Sequence, residues 1–247
     1  MTENNGIDRF YHAVLAQLEK VRQTQAASLQ TTAEWLAQAL VADRWLYVFG
    51  TGHSHMLAEE VFYRAGGLAR AAPILDHRLM LHHEAIQATY VERETGLADR
   101  ILASYPVAPG DILIVASNSG RNAVPIEMAL RGKELGLRTI AVTNMEQSQA
   151  WPSRHTSGKR LFEVCDLVLD NCGVSGDACL DFPGLPGRVG PMSSLTGLFL
   201  INAMVVEAIR LALLKGTCPE IYISSNTNGD AHNHQLLEKY RGRLRHL

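Results

Sequence analysis

The sequence predicts an α/β protein, a three-layer αβα sandwich around a five-stranded parallel sheet of order 2-1-3-4-5, with added helices at both ends. Three observations carry that expectation. Short apolar, β-branched runs alternate with stretches of helical period, the pattern of right-handed βαβ crossovers. The 247 residues are 47% hydrophobic and 19% charged, enough to bury one large core. Two strands also run into Gly/Ser-rich turns that open helices, where open α/β sheets bind ligands.

The elements follow in order. Between Phe10 and Val41, residues Val14, Leu15, Leu18, Val21, Leu29, Ala33, Leu36 and Leu40 recur at helical spacing, as one long helix or two broken ones. Trp45 to Phe49 is a buried strand that stops at Gly50, and a helix from about His53 to Ala65 closes at Gly66-Gly67. Ala69 to Leu75 reads as the second strand, followed by a polar region, His77 to Ser104, rich in His and Glu. Asp111 to Ala116 is the clearest strand; the helix after it, Ala123 to Leu135, is capped by Gly136. Arg138 to Val142 is the fourth strand, Glu146 to Lys159 a polar connector, and Leu167 to Leu169 the fifth strand. A Gly/Pro-rich loop, Gly173 to Pro191, leads into an apolar helix, Leu195 to Leu214, and the chain ends in a polar helix, Ala231 to Leu247. We read one domain over 1–247: a helical segment at about 5–42, the α/β core at about 43–216, and a loop and helix at 217–247.

Composition narrows the function. The formal charge is -2 and the Lys and Arg residues are scattered, so no nucleic-acid partner is expected. Met1 to Arg9 is polar, and no apolar run approaches the roughly 20 residues of a bilayer span, so the expected location is cytoplasmic, without membrane association. Cys165, Cys172, Cys179 and Cys218 form no C-x-x-C pair and are expected to be reduced thiols, with no metal and no cofactor.

The first strand opens into Gly50-Thr51-Gly52-His53-Ser54-His55. Its glycines let the backbone approach a ligand, and a following helix N-terminus suits an anion. A dinucleotide fingerprint would need Gly or Ala where His55 stands, and Gly158-Lys159 runs into Arg160 with no Walker spacing. A tight strand-to-helix turn explains this loop as well as a ligand does. The third strand opens into Ser117-Asn118-Ser119-Gly120-Arg121-Asn122. A single helix cap, Ser119 or Asn122, would account for one polar position there but not for so many, whereas a phosphate bound by hydroxyls, amides and free N–H groups accounts for the run.

These residues resemble a known family. G-x-G-x-S after the first strand and S-x-S-G-x-[TN] after the third, with the spacing through Ala129 and Thr143, are similar to the SIS (sugar isomerase) domain. The blocks Asn118 to Glu127, Leu169 to Ala178 and Ser225 to Tyr240 resemble an uncharacterised bacterial branch likened to phosphoheptose isomerase. The resemblance implies a flavodoxin-like sandwich, a homodimer or homotetramer, and a sugar phosphate held by Ser54, Ser117, Ser119 and Asn122, with Gly52, His53, Asn118 and Gly120 completing the loops. Asn122 stands where Thr is commoner.

The implied chemistry is aldose–ketose isomerisation, which needs a base to move a proton between adjacent carbons and an acid to open the ring. The family's base is a Glu in the helical region between the second and third strands; by position Glu84 matches, with His83 beside it. A His in such enzymes often arrives from a neighbouring subunit. Asp230 is expected to cap the last helix and place His232 in its first turn, with His234 close by. Both histidines also fit an exposed surface, and with Asp230 they make a conceivable metal set. Arg154, with His155, is the candidate contact to sugar hydroxyls or a second anionic group, and a solvated loop explains the two equally well. A non-catalytic phosphosugar sensor, or a lyase or etherase acting on an amino-sugar phosphate, fits the same loops.

Overall fold

The computed structural model describes residues 5–247. The N-terminal segment is two helices, α1 (Gly6–Thr24) and α2 (Ala26–Val41). They break at Gln25, whose backbone leaves helical geometry (φ -103, ψ 4) and whose side-chain oxygen accepts from the Asp170 N–H at 3.1 Å.

The sheet contains β1 (Leu46–Gly50), β2 (Ala71–Ile74), β3 (Ile112–Ala116), β4 (Arg138–Thr143) and β5 (Leu167–Asp170). All neighbours are parallel, in the expected order β2-β1-β3-β4-β5. Alternate residues supply two cores because strand side chains point to opposite faces. Tyr47, Phe49, Leu113, Val115 and Ala141 face one layer, which includes α5 (Leu97–Leu102), α6 (Ala123–Glu134) and α10 (Asp230–Tyr240). Leu46, Val48, Ile112, Ile114, Ile140 and Val142 face the other, which includes α2, α3 (Met56–Val61) and α9 (Ser193–Leu214).

Several boundaries differ from the sequence expectation. The helix expected over His53 to Ala65 is a 3-10 turn, Gly52–His55, running into the short α3; it stops because Phe62 is extended and Tyr63 takes φ +46. The polar region after β2 contains a 3-10 turn (His77–Leu79), α4 (Leu81–Val91) and α5. After the connector helices α7 (Met145–Ala150) and α8 (Leu161–Val164), the Gly/Pro-rich loop forms an antiparallel pair, β6 (Ala178–Leu180) with β7 (Val189–Pro191). α10 ends at Tyr240, short of Leu247, and its cap is Gly229 instead of Asp230, which is already helical. A Cβ at Gly229 would lie 2.5 Å from the Ile223 carbonyl oxygen, so the turn admits only glycine there.

α9 is long and apolar enough to cross a membrane by length and composition, yet Leu200, Ile201, Met204 and Ala208 are fully buried against α2, α3 and the sheet. Replacing Leu200 with Ala removes buried methyl groups from this interface, and we expect a loss of about 2–5 kcal/mol in urea unfolding. A loss below about 0.5 kcal/mol would show that α9 is not held by this face.

Candidate functional site

Both Ser/Gly loops lie at the carboxyl edge of the sheet, after the adjacent strands β1 and β3. In the first, Gly50 is required by sterics: a Cβ would sit 2.3 Å from the Ser54 carbonyl oxygen. Gly52 adopts φ +55, which favours glycine. The tight turn exposes the Ser54 side chain to the cleft and brings Thr51 Oγ1 within 2.6 Å of Glu92 Oε2. His55 is buried against the Gly52 carbonyl, whereas His53 points to solvent.

In the second loop, Gly120 has φ +58 and presses on its surroundings; a Cβ would meet Ser148 Oγ at 2.9 Å. Ser117 Oγ accepts the Gly120 N–H at 3.2 Å, so this hydroxyl shapes the loop. Asn118 Oδ1 accepts from Asn171 Nδ2 at 2.8 Å, and its Nδ2 donates to Gln147 Oε1 at 3.2 Å. The hydroxyls of Ser54 and Ser119 make no hydrogen bond to another protein group among the described residues; Ser54 lines the cleft, whereas Ser119 is half-buried outside its lining. The cleft is lined by Ser54, Asn118, Asn171, Ser193 and Ser194 over an apolar floor of Leu57, Ala116 and Val142. Ser193 and Ser194 come from the first turn of α9, which Asp177 fixes by accepting the Met192 N–H at 3.1 Å and the Ser193 N–H at 2.7 Å.

Asn122 occupies the cap position of α6 but makes no side-chain cap bond. Its Nδ2 donates to Glu92 Oε1, and its Oδ1 accepts from Arg154 Nη1 at 3.1 Å. Both ends of the Asn122 side-chain amide are thus engaged by protein groups. Glu92, at the end of α4, holds both loops: its carboxylate takes Thr51 from the first and Asn122 from the second, and its backbone carbonyl accepts the Val124 N–H at 3.1 Å. Burial pushes its carboxyl pKa upward, against the pull of Thr51, Arg93, Asn122 and Arg154.

The expected acid and base groups are dispersed in a single chain. Glu84 is exposed at the start of α4, its backbone out of helical geometry (φ -153, ψ 93). His83 is exposed too; its ring centroid is 4.8 Å from that of His82, which lies 6.0 Å from the ring of His55 in the first loop. His232 Nε2 sits 2.9 Å from the Ile221 carbonyl, and Ile221 bridges to Leu68 in the segment entering β2. That contact ties the His232 ring to the amino end of β2, not to the loops at its carboxyl end. His155 pairs with Glu127 at 3.5 Å. Among the described residues, no group of three His, Cys, Asp or Glu side chains converges as a metal site.

Fold and cleft together define a phosphosugar-binding α/β fold. The SIS domain family model matches residues 9–144. A UPF0309 protein of Geobacillus kaustophilus is 41% identical over 239 residues, covering 96% of this chain and 95% of that protein. A phosphoheptose isomerase from Francisella tularensis superposes with a TM-score of 0.53 at 14% identity, covering 85% of this chain and 100% of that one. The sugar isomerase domain of an RpiR transcription factor from Sphaerobacter thermophilus superposes at 0.51 with 16% identity, covering 86% and 96%. The chain belongs to the SIS domain family, and its close relatives are UPF0309 proteins.

Two outcomes test the local physics. Gly120→Ala forces a side chain into the left-handed region against Ser148, and we expect a cost of about 1–2 kcal/mol with displacement of the loop. Because the folded Glu92 carboxyl holds its proton above the ordinary value of 4.5, native protein binds more protons than unfolded chain in that window. Stability from Glu92 is complete below the ordinary value and falls as pH rises through the folded one. Urea unfolding of Glu92→Gln should therefore gain on wild type as pH rises from acid to neutral; a difference independent of pH would contradict the buried carboxyl.

Proposed function

We propose that this chain binds a sugar phosphate in the cleft between its two loops and isomerises it between aldose and ketose forms by proton transfer. The phosphate is received by the Ser54 and Ser119 hydroxyls and by N–H groups opening α6, with Ser117, Gly52 and Gly120 shaping the cradle and Asn118 lining it. The observation that carries the reading is Glu92: a half-buried carboxylate held jointly by the two loops, with its pKa raised by burial. It satisfies the family position between the second and third strands better than Glu84, which faces solvent.

The ring-opening acid in this reading is His83, which approaches the first loop through His82 and His55. A homodimer or homotetramer formed through the exposed apolar residues of α1 and α9, such as Ile7, Tyr11, Val206 and Leu214, fits the reading, with a neighbour's His232 as the second candidate for the acid. The expected site of action is the cytoplasm.

Incubation with a panel of aldose and ketose phosphates in heavy water tests the chemistry. We expect solvent deuterium at the carbon beside the carbonyl, about 100-fold slower exchange or less still in Glu92→Gln with binding retained, and weakened binding in Ser119→Ala. A ligand-induced thermal shift with no deuterium uptake from any sugar phosphate would reject the isomerase and leave a phosphosugar sensor, the role suggested by the same fold in a transcription factor.

A further inference from the structure

On the α4 side of Asn122 three arginines converge. Arg154 donates from Nη1 to Asn122 Oδ1 at 3.1 Å, and its backbone N–H donates to the Arg121 carbonyl at 2.7 Å. Arg121 uses only Nε, toward the Pro152 carbonyl at 3.0 Å. Arg93 follows Glu92 directly, and its guanidinium makes no hydrogen bond among the described residues. The three are close enough that Arg121 and Arg93, after burial, press the Arg154 pKa downward. Glu92 is the carboxylate that Arg93 and Arg154 both act on, and no ion pair closes on any of the three among the described residues.

Arg93 and Arg154 share one carboxylate and Arg121 adjoins Arg154, which leaves positive charge uncompensated and most of the guanidinium N–H donors free. Such forks recognise carboxylate and phosphate oxygens in pairs. Two exposed aromatic rings flank them: Trp151 with Arg121 over it at 5.7 Å, and Tyr90 with Arg93 over it at 5.7 Å. None of the arginines lines the Ser54–Asn118 cleft. The surplus charge therefore lies beside the phosphate site and apart from it, beyond Asn122 and Glu92.

We infer that Arg93, Arg121 and Arg154 form a second anion subsite, so that the ligand is a sugar phosphate carrying another oxyanion, a carboxylate or a further phosphate, at the end remote from Ser54 and Ser119. This rests on the proposed phosphate cleft. The flanking rings give the connecting sugar a flat apolar face to lie against.

Calorimetric titration with glucose phosphate, phosphogluconate and fructose bisphosphate separates the possibilities, using wild type and the Arg93→Gln/Arg121→Gln double variant. For wild type we expect at least about tenfold tighter binding of one of the two probes with a second oxyanion than of glucose phosphate, and the preferred probe tells carboxylate from phosphate. In the double variant that preference should collapse while glucose phosphate binds as before. Equal affinity of wild type for all three probes overturns the second subsite and leaves the phosphate cleft standing. Loss of glucose phosphate binding in the double variant also overturns it, since the arginines then serve the first phosphate. Absence of binding by any probe to wild type removes the cleft reading and the subsite together.

Discussion

The arrangement at the carboxyl edge of the sheet depends on one half-buried carboxylate. Glu92 takes Thr51 Oγ1 at 2.6 Å from one loop and the Asn122 amide from the other, while its own carbonyl receives the Val124 N–H. It adds a side-chain tie between two glycine-containing turns that the β1–β3 ladder sets side by side, with Gly50 paired to Ala116. A carboxylate in that place is costly to ionise, which raises its pKa, and the hydrogen bonds that offset the cost are the same ones that set the cleft. In the proposed reading, structural and chemical roles fall on one side chain.

The fold was legible because its signals were local. β1 and β3 are unbroken apolar runs ending in glycine or serine, buried on both faces as parallel strands must be. α3 was overextended because nothing in Phe62-Tyr63-Arg64 forbids a helix; it ends where Phe62 turns extended and Tyr63 takes φ +46, and the chain beyond is held by the Gly66 N–H on the Tyr222 carbonyl, a partner remote in sequence. The hairpin of β6 and β7 was hidden among glycines and prolines for the same reason. Its partners, Ala178 with Pro191 and Leu180 with Val189, carry no strong alternation.

The two loops of the candidate site were legible, and the carboxylate proposed between them was not. Ser54, Ser119 and the glycines could be read from spacing, whereas Glu92 stands in Val91-Glu92-Arg93-Glu94, which looks like the solvated end of a helix. Only the long-range contacts to Thr51 and Asn122 bury it. Asn122 looked like a helix cap and takes the cap's backbone conformation, but its amide is turned to Glu92 and Arg154. Asn171, Ser193 and Ser194 were missed because strand β5 and helix α9 bring them to the cleft from the far half of the chain. The serines ahead of the apolar run at Leu195 were the available signal, as residues typical of a helix start.

The central claim is that the ligand's phosphate rests between Ser54 and Ser119 with its reacting carbons over Glu92. A crystal structure of the protein soaked with a sugar phosphate that it binds tests this most directly. The account predicts phosphate oxygens about 2.5–3.0 Å from both serine hydroxyls, and a sugar carbon beside the carbonyl in van der Waals contact with the Glu92 carboxylate. A phosphate bound away from both serines, or a sugar directed away from Glu92, would contradict it.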